Sequence, residues 1–203
     1  MQIATRDAQG NEDVLVIDLL SLKNGLVLPE CLGEILSGPF GSPRVIKLGV
    51  GLATDLDEMA FAFGTAPFLI EVPGILDLNV LHARLPSVDI DERGKPFVLG
   101  LRKLVSKYLG CDLCKKQQVS QWERRPLRAA QVTYAACDAL AALRVFDMLL
   151  QETGLLDVQD LSSTWTPRVY SEEGLIPSKV RKRLAGRARF ERLAARAESA
   201  TQT

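Results

Sequence analysis

From about Arg128 to Thr153 the apolar residues Val132, Ala135, Ala136, Ala139, Leu143, Phe146 and Leu150 recur at helical spacing, and Gly154 supplies the stop. Within this long helix Tyr134 and Asp138 stand four residues apart. One turn therefore stacks the phenol and the carboxylate on the same helix edge. A carboxylate with a hydroxyl neighbour can hold a metal ion and orient a water molecule.

The segment before that helix is also ordered. Leu101, Leu104, Val105, Tyr108 and Leu109 predict an amphipathic helix from about Leu99, with Gly110 past its end. Lys115, Gln118, Ser120, Trp122 and the run Arg124-Arg125-Pro126-Leu127 follow. Upstream, Met1–Thr5 and Val14–Leu19 read as two strands joined by a Gly/Asn turn, hence a hairpin. Residues Leu28–Ser37 predict a short helix stopped by Gly38-Pro39. A buried strand is expected over Arg44–Leu52, then a helix capped by Thr54, opening with Asp55-Leu-Asp-Glu58 and ending near Gly64. Phe68–Val72 and Ile75–Leu78 are apolar pieces split by Pro73-Gly74, followed by a helix over Asn79–Leu85 and a charged loop over Ser87–Lys95. Strands interleaved with helices indicate an α/β fold.

A chain of 203 residues with 47% hydrophobic and 25% charged residues can build one substantial core. No apolar run reaches the roughly 20 residues of a membrane-spanning helix, and the amino terminus lacks the order of a secretory signal. An intracellular protein, nuclear or cytoplasmic, is expected, with no membrane partner. Net charge is zero but uneven: residues 1–178 carry 17 Lys plus Arg against 23 Asp plus Glu, and residues 179–203 carry 8 against 2. The basic tail, with Lys179, Arg181, Lys182 and Arg183 at its head, is able to meet nucleic acid or act as a nuclear address; a solvated helix is the alternative. Three parts are expected: a domain over 1–153, a linker over 154–178, and a basic helical or disordered tail over 179–203.

Cys111 and Cys114 form a C-x-x-C, either half a zinc site or, the reading favoured here, two thiols in a surface loop, because four-coordinate zinc lacks nearby ligands. His82 is the only histidine and is expected on a helix surface or at an interface. Gly49-Val-Gly51 lacks the further residues of a phosphate cradle.

Leu101-Arg-Lys-Leu104, Leu109-Gly110, Lys115, Gln118, Ser120, Trp122, Arg125-Pro-Leu127 and Tyr134-Ala-Ala-Cys-Asp138-Ala139 together resemble the third motif of the DEDD 3'-5' exonucleases of the tyrosine subclass. That group contains RNase D, the Werner-syndrome exonuclease domain and the mut-seven-like proteins. Lys47-Leu-Gly-Val-Gly-Leu-Ala-Thr-Asp55-Leu56 resembles its second motif. The resemblance covers about residues 1–153. It implies an RNase H-like mixed sheet flanked by helices, and hydrolysis of phosphodiester bonds at single-stranded RNA or DNA ends with two divalent ions, Mg2+ or Mn2+.

On that resemblance Asp55 and Asp138 are metal ligands and Tyr134 orients water. Lys115, Gln118, Arg124 and Arg125 lie toward the substrate strand, while Trp122 is read as a packing residue. The first motif, Asp-x-Glu on an interior strand, is not found ahead of Gln2-Ile-Ala-Thr5. Asp18 matches a strand-end position, not a metal position. The resemblance therefore implies a site short of ligands and impaired cutting, or else a catalytically silent nucleic-acid-binding or protein-interaction module.

Overall fold

The computed structural model describes residues 1–22, 30–63, 67–154 and 166–169. The basic tail with Lys179, Arg181, Lys182 and Arg183 lies outside the described residues, as does most of the expected linker.

Strands β1 (Gln2–Arg6) and β2 (Glu12–Val16) form the expected antiparallel hairpin, in register from Gln2↔Val16 to Arg6↔Glu12. Asp7 shapes the turn: its Oδ1 accepts the N–H groups of Gln9 (2.9 Å) and Asn11 (2.8 Å), and Gly10 takes φ +86°. A four-residue helix α1 (Leu19–Leu22) follows, and α2 runs over Glu30–Gly41. The sequence predicts a stop at Gly38-Pro39, yet α2 continues through Pro39. Pro39 lacks the N–H that would bond the Ile35 carbonyl, so the helix continues with one bond forgone, and the Ser42 N–H closes the last turn on the Gly38 carbonyl at 3.1 Å.

Strand β3 (Lys47–Gly49), helix α3 (Leu52–Phe63), the short helix α4 (Pro67–Ile70) and strand β4 (Glu71–Asp77) come next. β3 and β4 pair in parallel across α3. The strand expected over Arg44–Leu52 is thus shorter, because Gly51 at φ +72° breaks it. Helix α3 begins two residues before Thr54, so Thr54 is not its cap; the Gly51 carbonyl accepts its first N–H groups instead.

Pro73-Gly74 does not split β4 into two pieces, as the sequence suggested. It forms a bulge: Val72 and Ile75, three residues apart, face the same apolar cluster, which strict alternation forbids without one extra residue. Gly74 is required there, since φ is +68° and a Cβ would lie 3.0 Å from the Val45 carbonyl oxygen. Strand β5 (Thr166–Val169), inside the stretch read as linker, pairs antiparallel with β4. Among the described residues β5 is the edge of its ladder, a position where sheets admit a proline such as Pro167.

Helices α5 (Leu78–His82), α6 (Leu101–Leu109) and α7 (Ala129–Thr153) complete the fold. Gly110 (φ +63°) and Gly154 (φ +66°) end the last two in the left-handed conformation, as expected. Two apolar clusters result. Leu76, Leu78, Leu81, Leu104, Val105, Val145, Phe146 and Leu149 join one face of β4 to α5, α6 and α7. Leu36, Leu56, Phe68, Leu69, Val72 and Ile75 join the other face to α2, α3 and α4, with Ile3 of β1 against them.

His82 is not on a surface. It is 1% exposed, and its Nδ1 lies 2.5 Å from the Tyr108 hydroxyl. Leu78, Leu81 and His82 fall at helical spacing on one inward face, which a single polar letter in the sequence concealed.

The strands form two ladders, β1-β2 and β3-β4-β5, in place of one continuous sheet. β1 pairs only with β2, and β3 only with β4, among the described residues. Helix α7 packs on both ladders. Arg6 binds Glu12 (2.6 Å) and Asp147 (2.8 Å), and Arg144 binds Glu12 (2.7 Å), so the hairpin is clamped to α7 by ion pairs.

Lys47 is buried at the start of β3, and its Nζ donates to the carbonyls of Ser42 (2.8 Å) and Val45 (2.9 Å). Burial pushes its ammonium down to about 8 from 10.5. Between these two values the unfolded chain holds the proton that the folded one releases, so stability rises with pH across that interval. Denaturant melts at pH 8 and pH 10 are expected to show this gain in the parent and its loss in Lys47→Met; parallel behaviour of the two proteins would contradict it.

Candidate active site

The helical period of α7 places Tyr134 and Asp138 one turn apart, both half-buried. The Tyr134 hydroxyl hydrogen bonds the Asp138 carboxylate. Burial first, and then that bond and the adjacent charge, push the phenol up to about 12. Asp138 is pushed above the ordinary aspartate value by burial, with the Tyr134 bond pulling the other way. Its Oδ1 is buried and has no hydrogen-bond partner.

The segment between α6 and α7 folds over this face. The Trp122 ring lies 6.0 Å from the Tyr134 ring at an interplanar angle of 52°, and its Nε1 donates to the Gln117 carbonyl at 2.9 Å. Gln131, only 2% exposed, fastens the segment: Nε2 donates to Ser120 Oγ (3.0 Å) and the Gln121 carbonyl (3.2 Å), and Oε1 accepts the Arg128 N–H (3.0 Å). The sequence reading passed over Gln131. Its position three residues past the helix cap is the available signal, since Gln there returns its side-chain oxygen to the cap residue's N–H as in one half of a capping box, while the donor-only Arg128 guanidinium supplies no second half.

Arg125 and Arg124 differ. Arg125 is in a bidentate ion pair with Asp18, and its Nη1 donates to the Trp122 carbonyl at 2.6 Å. Its donors are thus committed to the hairpin end and its own turn. Asp18 is accordingly held far below the ordinary carboxylate range, by Arg125 first. Where the sequence offered Arg125 to a phosphate, the structure gives it to Asp18, a partner 107 residues away that no local pattern announces. Arg124, Lys115 and Gln118 are exposed on the same segment. Cys111 and Cys114 are free and exposed, in keeping with the surface-loop reading.

Asp55 sits in the first turn of α3. The residue is exposed, yet its carboxyl is pushed up, first by neighbouring protein that displaces water and then by the charge of Glu58. Among the described residues no three His, Cys, Asp or Glu side chains gather as a metal-holding group. The donors nevertheless suit a hard divalent cation in kind: Asp138 offers a buried oxygen without a partner, and Asp55 an oxygen at a helix start.

The 3'-5' exonuclease family model matches residues 1–153. The human protein named Exonuclease mut-7 homolog is 33% identical over 172 residues, covering 76% of this chain and 18% of that protein. Ribonuclease D of Gluconacetobacter diazotrophicus is 29% identical over 142 residues, covering 70% of this chain and 31% of the relative. The solved EXO domain of Aedes aegypti Nibbler superposes with a TM-score of 0.56 at 24% identity, covering 81% of this chain and 83% of that one, so the two share the RNase H-like α/β fold. This chain spans only 15–20% of the length of the mut-7 and exosome-component relatives.

Two outcomes follow from these charges. Asp138→Asn keeps a polar atom at the unpartnered position but removes the charge that burial disfavours, worth about 1 kcal/mol or more, so without metal its melting temperature should exceed the parent's by about 2–4 °C or more. Excess Mn2+ should raise the parent's melting temperature more than the variant's; a variant no more stable than the parent, or equally shifted by Mn2+, contradicts the reading. Arg125→Ala breaks the pair with Asp18 and should cost about 1–3 kcal/mol in urea melts, whereas Arg124→Ala should be near neutral.

Proposed function

Because the chain belongs to the 3'-5' exonuclease family, we propose that residues 1–153 are an exonuclease domain that removes nucleotides from single-stranded RNA or DNA ends by two-metal hydrolysis. The observation that carries this is the buried, unpartnered oxygen of Asp138 one helical turn from Tyr134. Asp138 and Asp55 would hold Mg2+ or Mn2+. Bound ions of this kind activate the attacking water and balance charge on the leaving oxygen.

The chain's own residues have definite tasks in this reading. Tyr134, with its phenol pushed to about 12, keeps its proton at neutral pH. It therefore acts as a hydrogen-bonding group that orients water, not as a base. Trp122 and Gln131 keep the segment over α7 in place. Lys115, Gln118 and Arg124 meet the substrate strand, and Lys179, Arg181, Lys182 and Arg183 of the basic tail add salt-dependent affinity. Arg125 serves indirectly, by holding its turn against Asp18.

Two carboxylates are too few for two ions. The reading therefore includes impaired cutting by these 203 residues alone. The remaining acids would come from an Asp-x-Glu strand lying between β1 and β3. Support for that slot comes from the two ladders: β1 and β3 each pair on one side only among the described residues, and α7 packs on both ladders. A strand carrying Asp-x-Glu, fused ahead of Met1, should yield stepwise 3'-5' shortening of a 5'-labelled single-stranded oligonucleotide in Mn2+. Asp138→Asn and Asp55→Asn should each lower that rate by about 100-fold or more. A fused protein that cuts regardless of both changes would refute the ligand assignment.

The small number of acids also favours a second reading, a silent nucleic-acid-binding module with Lys115 and Arg124 as its contact residues. Gel-shift titration at two salt concentrations, with and without residues 179–203, should then show affinity that falls with salt and with removal of the tail.

A further inference from the structure

Asp77 stands where β4 meets α5, and both of its carboxylate oxygens are engaged. Oδ1 accepts the Asn79 N–H at 2.9 Å and so caps α5. Oδ2 accepts the Gly51 N–H at 2.9 Å, from a residue 26 positions earlier. The Asn79 side chain continues the connection: its Nδ2 donates to the Leu99 carbonyl (3.1 Å), and its Oδ1 accepts the Leu99 N–H (2.7 Å). Leu99 immediately precedes Gly100, the cap of α6. One carboxylate and one carboxamide thereby tie the starts of α3, α5 and α6 together.

Helix capping explains only half of this arrangement. A cap needs one acceptor oxygen, and Ser, Thr or Asn supplies one. Only an ionised carboxylate offers two oxygens that both accept, and the second is spent on Gly51. That residue has φ +72°, so its peptide takes an orientation that the backbone alone does not enforce. Its carbonyl in turn accepts the N–H groups of Thr54 (2.8 Å) and Asp55 (3.4 Å). Two hydrogen bonds, one on the N–H and one on the carbonyl of Gly51, separate the Asp77 carboxylate from the Asp55 backbone.

We propose that Asp77 is a positioning residue for Asp55: by gripping the Gly51 N–H it fixes the direction in which the first turn of α3 presents that carboxylate. Asn79 completes the brace by holding the approach to α6 against the same point. The role rests on the reading of Asp55 as a metal ligand. Asp77 touches neither ion nor substrate. Removing its second acceptor leaves the Asp55 carboxylate present but loosely aimed.

The test is Mn2+ binding by the full chain, followed by electron paramagnetic resonance of free Mn2+. The proteins compared are the parent, Asp77→Ala, Asp77→Asn, Asp55→Asn and, as a control for lost stability alone, Val105→Ala in the core of α6. Asp77→Ala should weaken Mn2+ affinity about 10-fold or more, as Asp55→Asn does, while Val105→Ala stays within about 2-fold of the parent. Affinity in Asp77→Ala within about 2-fold of the parent, with Asp55→Asn weakened, overturns the positioning role alone. If Asp55→Asn is itself unchanged, the ligand reading falls and the positioning role falls with it.

Should Asp77→Ala not fold, Asp77→Asn decides the matter through amide hydrogen exchange. The amides of Gly51, Thr54 and Asp55 should exchange about 10-fold faster than in the parent, with those of Ala142 to Leu149 unchanged. Equal protection at residues 51–55 overturns the proposal.

Discussion

Helix α7 is the member against which the hairpin, β3, α5 and α6 are braced, and it carries a carboxylate oxygen that the fold leaves without a partner. Its inward residues Ala142, Val145, Phe146 and Leu149 bind it to α5, α6 and β4. Arg144 and Asp147 bind it to the hairpin through Arg6 and Glu12. Asp138 is fixed on it with Oδ1 out of solvent. The free energy that would be recovered by partnering this oxygen is the physical reason to expect a cation there.

The electrostatics around this helix separate structural charges from available ones. Arg6, Arg102 and Arg125 are each engaged with a carboxylate, and Asp18 and Asp112 lie below the ordinary carboxylate range, held there first by Arg125 and Arg102. These pairs fasten the hairpin and the loops. Asp55 and Asp138 behave in the opposite way: both are pushed up, and neither cause includes a compensating cation. Carboxylates arranged at a cost to the apo fold are a common signature of sites that take their compensation from a ligand.

Much of this was legible in the sequence, and the division follows the range of the forces involved. Local periodicity and glycine stops gave α6 and α7 closely, and a polar turn between apolar runs gave the hairpin. The Tyr134–Asp138 pair follows from helical spacing alone. Less legible were features set by distant partners. Arg125 looks like a free cation until Asp18 arrives from the hairpin, and His82 looks solvated until Tyr108 arrives from α6. The bulge at Pro73-Gly74 depends on the Val45 carbonyl of a neighbouring segment, and β5 depends on the open edge of β4. Asp77 is the sharpest instance, because its cap is readable from the next two residues whereas its grip on Gly51 is not.

The family is shared with proteins several times longer than this chain, so the domain's chemistry and the whole protein's task are separate matters. For the chemistry, the central claim is that the carboxylates of residues 55 and 138 converge on divalent ions. The most direct measurement is anomalous scattering at the manganese edge from crystals of the Mn2+-soaked protein. The account predicts a peak within bonding distance of Asp138 Oδ1 that also contacts the Asp55 carboxylate. Manganese elsewhere, or two carboxylates on separate surfaces with no shared groove, would contradict it.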